Sequence, residues 1–194
     1  MGTDLDALRD AVTRCTDCEL HADATHAVFG AGPASAWLML VGEQPGDRED
    51  REGAPFVGPA GRLLDTALER AGVDRDEVYV TNVVKHFRFE REGKRRLHKT
   101  PAVRHVRACR HWFDDELAVV GPRVVVTLGA TAAKALVGPD VRISEERGEV
   151  REWQGRSLVP TIHPSAILRG SPEARDAALD AFVADLGVAA GLRS

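Results

Sequence analysis

Trp37-Leu38-Met39-Leu40-Val41-Gly42-Glu43-Gln44-Pro45-Gly46 is the stretch on which the fold turns. Five apolar residues in a row, stopped by a glycine, read as a short strand buried on both faces. Residues 43–59 are rich in glycine, proline and charge and read as a loop. Leu63, Leu64, Ala67 and Leu68 then recur at helical spacing, which predicts a helix over 60–71 with Gly72 as its stop.

The same alternation continues outward. Val78-Tyr79-Val80 predicts a second strand running into Asn82, 123–128 a third, and 157–162 a fourth that leads into His163-Pro164-Ser165. Residues 87–100 read as a polar insert. Pro101 can open a helix to about Val120 with Thr100 as its cap. Gly129 starts another helix to about Val137, and 172–188 close the chain as a helix. Upstream, Leu5, Leu8 and Val12 predict an amphipathic helix from Leu5 to Cys15. Strands alternating with helices imply a three-layer α/β/α domain over 1–194, with a four-stranded parallel sheet. In such sheets the ligand sits beyond the carboxyl ends of the strands. Four segments lie there: 42–46, 82–86, 129–131 and 163–165. They hold much of the chain's polar chemistry.

Hydrophobic residues make up 43% of the 194 residues, enough for a sizeable core. No run approaches the roughly 20 apolar residues of a membrane span. The acidic start from Met1 to Asp10 has no signal-peptide pattern, so a soluble cytoplasmic protein is expected, and a monomer. Three cysteines are too few for a disulfide framework and read better as metal ligands or buried thiols. The net charge of −4 hides a strong asymmetry. Lys85, Arg88, Arg91, Lys94, Arg95, Arg96, Lys99, Arg104, Arg107 and Arg110 are opposed within 85–110 only by Glu90 and Glu92. That segment carries about +8 and the remainder about −12. A local basic patch suits a phosphate backbone, whatever the total charge; a solvated face is the plainer alternative.

At the first strand end, Glu43 and Asp47 place carboxylates where general-base or electrostatic work is possible. Phe56, between Pro55 and Gly58, is either core packing or a platform for a planar base. His163 is either a turn histidine before a proline or a donor at the pocket. Cys15-Thr16-Asp17-Cys18, with Cys109 and His86, forms a thiolate-rich set that suits zinc or an iron–sulfur cluster, with inert thiols as the alternative.

The stretch 42–65, together with Thr81-Asn82-Val83-Val84-Lys85 and His163-Pro164-Ser165, resembles the three motifs of the uracil-DNA glycosylase superfamily, in its iron–sulfur (family 4) branch. The resemblance implies that Gly42, Glu43, Gln44 and Asp47 line the uracil site. Phe56 stacks on the everted base, Asn82 reads its polar edge, and His163 hydrogen-bonds the uracil oxygen as charge develops. It implies a [4Fe-4S] cluster on Cys15, Cys18, His86 and Cys109, in a structural role, with zinc as the alternative. Lys94, Arg95, Arg96, Lys99, Ser165 and Arg169 would contact DNA, and Leu168 would wedge into the minor groove. The partner is uracil-containing DNA, single-stranded or double-stranded, since a base within a duplex must be extruded before it can be attacked.

Three departures from the family 4 pattern stand out: Gln44 in place of alanine, His86 in place of a cysteine, and the insert Lys94-Arg95-Arg96-Leu97-His98-Lys99-Thr100-Pro101. Together they are similar to the cross-linking (UdgX) group. That similarity implies that His98 captures C1′ of the sugar once uracil departs, with Glu43 orienting the imidazole or accepting its proton. The alternatives are a conventional hydrolytic glycosylase with turnover, a non-catalytic damaged-DNA-binding module, and a zinc-stabilised hydrolase of another nucleobase. His21, His26, His105 and His111 read as ordinary exposed histidines, or as additions to the basic surface.

Overall fold

The computed structural model describes residues 4–193; Met1 to Thr3 of the acidic start lie outside them. In chain order the elements are α1 (Leu5–Val12), β1 (Leu38–Gly42), α2 (Asp47–Glu52), α3 (Pro59–Arg70), β2 (Val78–Asn82), β3 (Phe89–Glu92), β4 (Arg95–His98), α4 (Val103–Val120), β5 (Val124–Leu128), α5 (Ala130–Leu136), α6 (Ile143–Glu146), β6 (Arg151–Trp153), β7 (Arg156–Thr161), α7 (Pro164–Arg169) and α8 (Pro172–Ala190).

The central sheet has the order β2-β1-β5-β7-β6. The four expected strands are present and parallel, and a fifth, β6, pairs antiparallel with β7 at the edge. The expected four-stranded sheet is therefore corrected to five. β6 is only three residues long and reads Arg-Glu-Trp, too short to show a period. The opposite edge, on β2, is capped by Ala31, which exchanges backbone hydrogen bonds with Val80. Both exposed edges are thus short or covered, which limits strand pairing with other molecules.

Successive residues of β1 point to opposite faces. Leu38 and Leu40 pack with α3 and α8 residues such as Leu64, Leu68 and Phe182. Met39 and Val41 pack with α1 and α4 residues such as Leu8, Val12 and Phe113. Two hydrophobic layers sandwich the sheet, as its continuous apolar strands require.

Other boundaries differ for local reasons. α1 stops at Val12, because the Cys15 amide turns back to the Val12 carbonyl at 3.0 Å and closes a tight turn. The 43–59 loop contains α2, a six-residue helix of charged side chains with no apolar stripe to announce it. α4 opens at Val103 rather than Pro101, because the Ala102 amide donates to the side-chain Nδ1 of His105 at 2.9 Å and marks the helix start there. The polar insert is a β-hairpin, β3 paired antiparallel to β4, with Gly93 in the left-handed region (φ +58°) at its two-residue turn. Residues 164–169 form a short helix, α7. Among the described residues no helix is long and apolar enough to cross a membrane.

Candidate active site

Gly42 and Asn82 end β1 and β2 at the same level of the sheet. A Cβ on Gly42 would stand 2.4 Å from Asn82 Oδ1 and 2.9 Å from Phe56 Cζ. Only a residue without a side chain lets these two groups converge there. Asn82 is 3% exposed, and its Oδ1 has no hydrogen-bond partner among the described residues. An orphaned buried acceptor is costly unless a ligand satisfies it. Phe56 lies across from His163, with ring centroids 6.3 Å apart and planes inclined by 25°. Its backbone takes φ +55°, a left-handed conformation that a bulky residue rarely adopts and that concentrates at functional sites.

His163 caps α7, and its proton is placed by its neighbours. Nδ1 accepts the Ser165 backbone N–H at 3.1 Å and lies 2.8 Å from the Ser165 hydroxyl. That hydroxyl in turn accepts from Arg169 Nη1 at 3.0 Å. With Nδ1 accepting, a neutral ring carries its proton on Nε2. Burial pulls the pKa of His163 down to about 4; nearby Glu43 opposes the shift, and the Arg169 guanidinium adds to it. The ring is therefore a neutral donor at physiological pH.

Glu43, the next residue after β1, accepts from Thr131 on α5 and lies 3.2 Å from His98 Nε2. Burial pushes its pKa up, but the hydrogen bonds from His98 and Thr131 outweigh burial and hold it below the usual carboxylate range. The sequence alone gives Thr131 no role, although the 129–131 segment stands at a strand end. His98, the last residue of β4, is half exposed, at 50% of its side chain, and packs at a tilt against Phe87. It stands beside the Glu43 carboxylate rather than out in bulk solvent.

The side chain of Gln44 is engaged with the hairpin. Its amide donates to the backbone carbonyls of Arg88 and Lys99 and accepts the Arg88 N–H at 3.0 Å. These groups flank the hairpin on both sides, so the Gln44 side chain clamps the hairpin base. Asp47 is likewise engaged by Arg51 and Arg96. Arg96, expected on the DNA, has its side chain only 5% exposed. It bridges Asp47 and the fully buried Asp50, at 2.6 Å from Asp50, and lies over the rings of Phe87 and Phe89. Asp50 also accepts from the backbone amides of Thr25 and His26. No local pattern could have announced it, since its partners lie 24 to 46 residues away.

The basic segment is thinner than its composition suggests. Lys85 is fully buried, with Nζ 2.6 Å from Glu116 and hydrogen-bonded to Thr81 and the Asn82 carbonyl. Arg104 pairs with Glu19, Arg110 with Asp114 and Lys99 with Glu90. Lys94 and Arg95 at the hairpin turn are exposed, and Arg169 is exposed near His163. His105 is not the exposed histidine expected: it is fully buried, and Nε2 meets Glu19 at 2.8 Å. His111 is half exposed and bonds Asp17.

Cys15 and Cys109 are buried, as is His86, whose Nδ1 has no partner among the described residues. The Trp112 indole N–H donates to Cys15 Sγ at 3.2 Å, and the Lys85 amide to Cys109 Sγ at 3.5 Å. Burial raises the pKa of all three thiols, Cys109 to about 11, and lowers that of His86. Cys15 and His86 border a cleft of about 230 Å³. No three metal-ligating side chains among the described residues already stand in coordinating geometry. The donor set itself fits a thiolate-rich centre: N–H donors aimed at sulfur and an orphaned imidazole nitrogen are what such a centre uses.

The fold and this constellation define a class: an α/β protein with polar side chains gathered at the carboxyl ends of a mainly parallel sheet. A sequence profile of the Uracil DNA glycosylase superfamily matches residues 29–187, and the chain belongs to that superfamily. It is 38% identical over 167 residues to a type-4 uracil-DNA glycosylase of Thermotoga maritima, covering 85% of this chain and 83% of that protein. A type-4 uracil-DNA glycosylase of Pyrobaculum aerophilum is 38% identical over 86% of this chain and 85% of its own length. A type-5 uracil-DNA glycosylase of the same organism is more distant, at 29% over 70% of this chain and 64% of its own length.

Replacing Arg96 with methionine leaves Asp50 buried with its cation gone, so denaturant unfolding should show a loss of about 3 kcal/mol; a loss under about 1 kcal/mol contradicts the anchoring role. For pH, the sign follows from a depressed histidine pKa. Neutral His163 persists as pH falls through the ordinary histidine range and is lost only near pH 4. In a His98→Ala background, uracil release should hold between pH 7 and 5 and fall below that; a decline centred near 6.5 contradicts it.

Proposed function

We propose that this chain, read as one catalytic unit, excises uracil from DNA and that His98 then captures C1′ of the abasic sugar. The observation that carries the reading is the contact between His98 Nε2 and Glu43 Oε1 at 3.2 Å, one residue beyond Gly42, where Asn82 and Phe56 converge. The relatives named as type-4 uracil-DNA glycosylases supply the substrate class.

The chemistry follows from the side chains. Phe56 offers a π-face to the everted base. The Asn82 amide can accept from and donate to the uracil edge, which satisfies its orphaned Oδ1. As the C1′–N1 bond breaks, its electron pair leaves with uracil. The neutral His163 donates from Nε2 to a uracil oxygen where that charge accumulates, a contact strongest in the transition state. The sugar left behind is oxocarbenium-like. One nitrogen of His98 gives its lone pair to C1′. The resulting imidazolium is stabilised by Glu43, which can take the remaining N–H proton and leave a neutral imidazolyl adduct. Held in place, the imidazole outcompetes water by proximity.

Cys15, Cys18, His86 and Cys109 would hold a [4Fe-4S] cluster, with zinc as the alternative. Once bound, that group supplies a structural tie between the N-terminal segment, the end of β2 and α4. Iron content and visible absorbance of the purified protein decide between the two metals. Lys94, Arg95 and Arg169 are the exposed cations placed to meet phosphates, with Leu168 as a wedge.

A uracil-containing single-stranded oligonucleotide, incubated with the protein and run on a denaturing gel, tests the reading. A band at protein-plus-DNA mass is expected, lost in His98→Ala. Alkali-sensitive DNA without a retained band indicates conventional turnover, and intact DNA indicates a binding module; either outcome removes the capture step.

A further inference from the structure

The left-handed backbone at Phe56 needs something to hold it. A strained conformation persists only where its surroundings over-determine it. On one side, the Phe56 carbonyl lies against Gly61 of α3, where a Cβ would stand 1.7 Å from that oxygen. On the other side stands Glu49, a buried residue of α2 that the chemistry above does not use. Its Oε1 accepts the Gly58 N–H at 2.7 Å, two residues beyond Phe56 and at the N-terminus of α3. The carboxylate lies so tightly between two glycines that a Cβ on Gly46 would be 2.6 Å from Oε2 and one on Gly58 2.9 Å from Oε1. A carboxylate at that end of a 12-residue helix is also favoured by the helix dipole.

We propose that Glu49 is a positioning residue that locks the 56–58 loop and so keeps the Phe56 ring over the pocket. The loop is pinned from below by Gly61 and across its mouth by Glu49. Without the second pin, Phe56 relaxes to an ordinary negative φ and swings its ring away from Gly42, Asn82 and His163. This rests on the reading of Phe56 as the platform for an everted uracil.

The test uses two single-stranded oligonucleotides, one carrying a non-cleavable 2′-fluoro-deoxyuridine and one a tetrahydrofuran abasic site, with binding followed by fluorescence anisotropy. Glu49→Ala should weaken binding of the first about tenfold and of the second less than about twofold. Glu49→Gln, whose amide oxygen still accepts, should restore most of the difference. In a Phe56→Ala background Glu49→Ala should add less than about twofold, because both changes act through one ring. Equal losses on both oligonucleotides, or additive losses with Phe56→Ala, overturn the proposal. A crystal structure of Glu49→Ala decides it separately: a negative φ at Phe56 supports it, and an unchanged φ overturns it. If the unaltered protein shows no preference for the uracil analogue, the substrate reading fails, while the Phe56 geometry still judges Glu49.

Discussion

The guanidinium of Arg96, held between Asp47 and the buried Asp50, is the interaction on which the rest of the site depends. A two-stranded hairpin with few apolar residues is marginal alone in water. This one is fastened to the body by an ion pair inside, by the faces of Phe87 and Phe89 over the same guanidinium, and by Gln44 on the backbone at its base. The result is that a half-exposed histidine at the end of β4 has a defined address beside Glu43. Taking two charges out of water is costly, and the arrangement is worth its cost for geometry more than for stability.

The pocket shows the same economy. His163 and Glu43 are each held by a neighbouring hydroxyl-bearing residue, and the backbone of Asn82 by a lysine. Ser165 fixes the tautomer of His163, Thr131 holds Glu43, and Lys85 hydrogen-bonds the carbonyl of Asn82. Lys85 also joins the two sides of the molecule, since its backbone N–H reaches Cys109 while its side chain ends at the Asn82 carbonyl, at the close of β2. A tie between the thiol-rich region and the pocket therefore runs through one residue.

Much of this is legible in the sequence. The run Leu38-Met39-Leu40-Val41 announces a strand because both faces are buried, and the polar strand ends follow from the topology of a parallel sheet. The hairpin was not legible. Phe89-Glu90-Arg91-Glu92 and Arg95-Arg96-Leu97-His98 lack the apolar alternation that marks a half-buried strand, because the body holds them through charge. For the same reason the sequence makes Arg96 resemble a phosphate contact, and it does not show that Gln44 and Asp47 also hold the hairpin. The contacts that join Gln44 and Asp47 to the hairpin span 44 to 55 residues, beyond any local pattern. The burial of His105 is hidden likewise, because what covers it includes Glu19, 86 residues upstream.

The central claim is a bond between an imidazole and a sugar carbon, and mass spectrometry of the product tests it most directly. After reaction with uracil-containing DNA, nuclease and protease digestion should leave a deoxyribose remnant on the peptide that contains His98, and fragmentation should place it on that ring. An unmodified His98 peptide, or a remnant on any other residue, contradicts the account.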